Sequence, residues 1–123
     1  MTYRLSRLMS TATASYGVYA LAQPRHLGDA VDPKHASDYD LLATTYGARD
    51  LAISSVGALA RSEKAVSAAM VIRILCDLAD GLILAAKAPD DATRQKVLGV
   101  TFGWASLNAA ALAVDRKRAR AKR

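Results

Sequence analysis

The chain has little of several residue types at once. Its 123 residues include one cysteine, one tryptophan and one phenylalanine, and aromatic residues make up only 6%. The single Cys76 excludes an internal disulfide. It lies inside an apolar run and reads as a packing residue. No metal motif, phosphate-cradling loop or nucleophile–base pair stands out, so an enzymatic reading lacks its usual supports. The two longest apolar runs are both interrupted by ionised residues near their middles. The mean hydropathy is only +0.09, an average over apolar runs, a charged loop and a charged tail.

What is present is small and apolar: hydrophobic residues reach 52%, with abundant Ala, Leu, Val, Ser and Gly. Small residues at this density suit closely packed helices rather than a β-sandwich. At this length the chain is one domain. Two apolar runs dominate it, 41–60 and 65–86, joined by Arg61-Ser62-Glu63-Lys64. Each is about long enough to cross a bilayer. Yet the first carries Arg49 and Asp50 near its middle, and the second carries Arg73, Asp77 and Asp80. In hydrocarbon each such charge costs about 2.5–3.5 kcal/mol, so these groups must face one another or a wet cavity.

The spacing predicts four helices, at about 4–23, 40–60, 64–87 and 92–115. The first bears a small, weakly polar stripe, Ser6, Ser10, Thr13, Ala14 and Gly17, that should pack on a neighbour. Its Arg4 and Arg7, apolar middle and Ala20-Leu21-Ala22 also resemble a secretory signal, although the middle is unusually polar for one. Pro24, Gly28 and Pro33 should break any helix in the connection 25–38. That connection holds His26 and His35 near Asp29, Asp32 and Asp38, without a recognised metal spacing, and reads as a solvated loop. The four-residue link 61–64 makes the second and third helices an antiparallel hairpin. Asp90 or Asp91 caps the last helix. There Gly99 and Gly103 form a small-xxx-small pair for packing within the bundle or against a second copy. Trp104 should pack in the bundle.

Charge distribution orients this arrangement. The segment 116–123 supplies six basic residues, reading as a basic cytoplasmic tail rather than a nucleic-acid contact. With both termini and the link inside, that side holds Arg4, Arg7, Arg61, Lys64 and the tail, ten basic residues against five (Arg25, Lys34, Lys87, Arg94, Lys96). The expected fold is therefore an all-α, antiparallel four-helix transmembrane bundle in the cell inner (plasma) membrane. It would be multi-pass, with both termini cytoplasmic. A soluble four-helix bundle is the rival.

Arg73, Asp77 and Asp80 stand at i, i+4 and i+7, so they share one face of the third helix, which Met70 and Leu84 continue. Tyr46, Asp50, Ser54 and Gly57 form a matching stripe on the second, with Arg49 beside it. In an antiparallel hairpin, residues whose numbers sum to about 125 lie level. Arg49 should then meet Asp77, and Asp50 should meet Arg73, leaving Asp80 over. The cluster would lie roughly 17–22 Å from the link.

The run Tyr46-Gly47-Ala48-Arg49-Asp50-Leu51, with Arg73 and Asp77-Leu78-Ala79-Asp80, resembles a family of small four-helix integral membrane proteins of actinobacteria and related organisms, classed as a domain of unknown function. That family has a Gly-x-Arg-Asp segment on its second helix, then an Arg and a late Asp on its third. The resemblance covers roughly residues 40–85. It implies a membrane bundle with a charge cluster at Arg49, Asp50, Arg73 and Asp80, and implies no activity.

Three functions fit these residues. The leading one is a non-enzymatic membrane module whose polar core, Tyr46, Arg49, Asp50, Arg73, Asp77 and Asp80, binds a lipophilic small molecule or a membrane partner, among membrane lipids and with no cofactor or metal. The second is a membrane-embedded enzyme. There Asp77 and Asp80 act as acid and base, and Tyr46 or Arg49 polarises a substrate oxygen for isomerisation or epoxide opening. The third is a proton- or ion-conducting homo-oligomer assembled through Gly99 and Gly103.

Overall fold

A computed structural model describes residues 2–122; Met1 and the last tail residue, Arg123, lie outside it. The described residues form α1 (Arg4–Ala22), α2 (Arg25–Val31), a 3-10 segment (Pro33–Tyr39), α3 (Asp40–Leu59), α4 (Glu63–Lys87) and α5 (Asp91–Ala121), with no strand among them. Local chemistry explains several boundaries. Ser62 Oγ accepts the Ala65 N–H at 3.0 Å and starts α4. Asp90 accepts the Thr93 N–H at 2.7 Å and starts α5. The Thr93 N–H holds the Asp90 carboxyl below its ordinary range.

Two expectations are corrected here. The connection 25–38 is helical, not open. Pro24 and Pro33 sit at the starts of α2 and the 3-10 segment, where a missing N–H costs nothing. Gly28 lies against the Ala36 backbone, so closely that a Cβ would fall 2.0 Å from the Ala36 carbonyl oxygen. Leu27, Val31 and Tyr39 from this segment pack on Ala43, Tyr46, Leu84 and Val97, closing one end of the bundle. The basic tail, in turn, is not a separate segment at 116. α5 continues through it to Ala121, because Ala, Arg and Lys are strong helix formers and Arg118 and Arg120 suit a helix C-terminus.

The four long helices form a ring in the order α1, α3, α4, α5, with neighbours antiparallel. The stripe on α1 makes the tightest crossing. Gly17 faces Gly47, and a Cβ on Gly17 would lie 2.8 Å from the Gly47 carbonyl oxygen. Ser6, Ser10, Thr13 and Gly17 are all buried along it. At the terminal end two side chains complete open helix ends. Asp115 of α5 accepts the Ser6 N–H at 2.6 Å, and Arg7 donates to the Ala60 carbonyl at 2.7 Å.

Polar and charged side chains share the interior with the apolar clusters, and many large apolar side chains face outward. Ser6, Ser10, Thr13, Asp50, Ser54, Arg73, Asp77, Asp80 and Asn108 are buried. Leu8 and Val18 on α1, Leu41 and Leu59 on α3, Leu75 and Leu82 on α4, and Val100 and Leu107 on α5 point outward. Among the described residues α5 alone is long and apolar enough to cross a membrane by length and composition, with mean hydropathy 1.6 over an 18-residue window. α1, α3 and α4 have the length, about 28 Å or more, but Ser, Thr, Arg and Asp lower the average of α1 and α3, and α4 carries Arg73, Asp77 and Asp80 within its apolar stretch.

Candidate functional site

The charged residues converge at the α3–α4 seam. Arg73, only 2% exposed, donates to Asp50 across the seam and to Asp77 one turn along its own helix. Arg49 grips Asp80 with both terminal nitrogens, Nη1–Oδ1 at 2.9 Å and Nη2–Oδ2 at 2.5 Å. It also reaches Asp50 Oδ1 at 3.0 Å. The Tyr46 ring lies 4.7 Å from the Arg49 guanidinium carbon, a cation–π contact.

The Asp50–Arg73 pair follows the register expected from the hairpin. The Arg49–Asp77 pair does not form, and Asp80 is not left over. Arg49 lies at the edge of its stripe, and its long side chain reaches a turn further along α4 to take Asp80 bidentately. The residue left incompletely matched is Asp77. Its Oδ1 meets Arg73, whereas its buried Oδ2 has no hydrogen-bond partner. Tyr46 Oη and Arg73 Nε are likewise buried and unpartnered. Such groups are uncommon in a finished interior, since each forfeits the hydrogen bonds it would make in water.

A cavity of about 310 Å³ adjoins this cluster. Asp50, Arg73, Asp77, Asp80 and Tyr46 form its polar wall. Leu27, Leu84, Thr13, Thr101, Tyr16 and Trp104 form the rest. Ala12, Tyr16 and Val100 also border it and are exposed, so it opens laterally between α1 and α5. All six residues singled out from the sequence thus come together, and five of them line the cavity; Arg49 stands behind. Thr13 was visible in the α1 stripe. Tyr16, Trp104 and Thr101 carried no motif, and only the ring of helices brings them to this space.

No protein-family model, curated protein or solved structure matches this chain. Among the described residues no group of His, Cys, Asp and Glu is placed to hold a metal ion. His26 is engaged otherwise: its Nδ1 contacts the Gln23 carbonyl at 2.7 Å and its Nε2 the Tyr16 hydroxyl at 2.8 Å. His35 contacts Asp32 at 3.0 Å. Trp104, expected to pack in the bundle, does so through a hydrogen bond from Nε1 to Thr13 Oγ1 at 3.1 Å. Gly99 and Gly103 face away, with nothing within 4 Å of an added Cβ.

Proposed function

We propose that the chain is a multi-pass membrane module that binds a small amphipathic molecule in the cavity between its helices. The observation carrying the binding reading is that cavity, lined by apolar and aromatic side chains and by Asp77 and Tyr46, whose Oδ2 and Oη are buried without a partner. Its volume lies at the lower end of the range for small-molecule sites. The lateral mouth suits a ligand that arrives through the bilayer.

The membrane reading is supported by the buried charges and the outward apolar side chains. Outward Leu and Val on all four long helices, with Ile72 and Ile83 on α4, would leave many large apolar side chains in water. Hydrocarbon tolerates such side chains and penalises polar groups unless they are turned inward. Basic residues collect where the two termini and the α3–α4 link meet, which orients that end toward the cytoplasm. The acid–base enzyme reading is weaker, because both Asp80 oxygens already accept from Arg49.

Two measurements test the proposal. Alkaline washing should leave the protein in the membrane pellet, with detergent alone releasing it. Native mass spectrometry of the released protein should show a bound small molecule, and Ala12→Phe, which plugs the mouth, should remove it. Protein that fractionates without detergent, or that never carries a ligand, overturns the reading.

A further inference from the structure

We infer that the ligand class is a lipophilic amine held in its protonated form, with its ammonium at Asp77 and Tyr46 and its apolar part between Trp104, Tyr16 and Leu84. This rests on the binding reading above and names what the same cavity selects. The first ground is charge. The cluster holds two guanidinium groups, Arg49 and Arg73, and three carboxylates, Asp50, Asp77 and Asp80. At the terminal end the buried Arg7 and Asp115 carry opposite charges and cancel, so the interior keeps one negative charge in excess. A single cation brings it to neutrality, and low-dielectric surroundings make that neutrality valuable.

The second ground is the hydrogen-bond inventory. Asp77 Oδ2 is an acceptor without a donor, and Asp77 is 6% exposed. Tyr46, 7% exposed, has a hydroxyl with no partner. An ammonium offers three donors and no acceptor, which is the chemistry that both oxygens lack. A carboxylate or phosphate ligand could accept from Tyr46 Oη and Arg73 Nε, but it would add to the excess negative charge and leave Asp77 Oδ2 without a donor. A neutral alcohol would satisfy one atom and leave the charge.

The third ground is the wall. Tyr16, Tyr46 and Trp104 border the cavity together. Aromatic faces attract a cation and accept an apolar chain equally well. The mouth between α1 and α5 passes Val100 and Ala12 rather than charged residues, so an amine with an apolar body can enter from the lipid side.

Trp104 is the only tryptophan in the chain and borders the cavity, so its fluorescence reports occupancy. Full-length protein in nonionic detergent is titrated with three probes of similar size: 2-phenylethylammonium, 2-phenylethanol and 3-phenylpropionate. The ammonium should bind about tenfold more tightly than the alcohol, the factor that ~1.4 kcal/mol of added hydrogen-bond strength supplies. The carboxylate should leave Trp104 unchanged. Asp77→Asn, which removes the excess charge and keeps an acceptor, should bring ammonium and alcohol to equal affinity. If that variant does not fold, the ordering of the three probes on the unaltered protein still decides. Alcohol or carboxylate binding as tightly as the ammonium overturns the amine assignment and leaves the binding module standing. Trp104 unmoved by all three overturns both.

Discussion

Removing a positive charge from the cluster should cost far more than removing a negative one, and Arg73→Met against Asp77→Asn measures the difference. Arg73 holds Asp50 and Asp77 simultaneously. Without it Asp50 keeps Arg49, but Asp77 loses its only ionic partner while it stays buried. A bare interior carboxylate costs about 3–5 kcal/mol, a large part of a small domain's stability. Asp77→Asn creates no bare charge, because Arg73 keeps Asp50 and the surplus carboxylate is the one neutralised. Its cost is a weakened hydrogen bond, under about 1.5 kcal/mol. Combining Arg73→Met with Asp77→Leu removes the orphan and should recover about 1–3 kcal/mol over the single Arg73 change. The assay is unfolding of purified protein in mixed micelles of increasing dodecyl sulfate content, followed by far-ultraviolet circular dichroism. If Arg73→Met unfolds within about 1 kcal/mol of the unaltered protein, or Asp77→Asn costs as much as Arg73→Met, the charge accounting is wrong.

Three further outcomes are expected. Gly17→Val drives a side chain into the Gly47 backbone, which cannot move aside as a flexible chain end would, and should cost about 1–3 kcal/mol in the same assay. Gly99→Leu with Gly103→Leu meets nothing within the bundle and should leave its stability unchanged; if copies associate through this face, light scattering in detergent should show the assembly falling to monomers. The Asp90 cap carries a pH signature: its folded carboxyl is depressed, so its contribution is present above the unfolded carboxyl's range, near 3.9, and is lost as pH falls through the lower folded value. The melting-temperature difference between the unaltered protein and Asp90→Asn should therefore favour the unaltered protein at neutral pH and close in acid. A difference that stays constant would show that the charge at the cap contributes nothing.

The sequence by itself determined the helices and their faces, because helical periodicity and capping are local. Arg73, Asp77 and Asp80 had to share a face, Asp50 had to come level with Arg73, and the small stripe on α1 had to be buried. Local signals failed in the connection 25–38, where Pro24, Gly28 and Pro33 read as breakers. Each is tolerated there by its place at a helix start or against Ala36. Only the tertiary structure decided which carboxylate lacks a full partner. Arg49 reaches along α4 to Asp80, an outcome set by the rotation of α3 against α4 and the length of an arginine side chain. The cavity is likewise a property of the ring: Tyr16, Trp104 and Thr101 lie far apart in the chain and meet the cluster because α1 and α5 close the bundle opposite the hairpin.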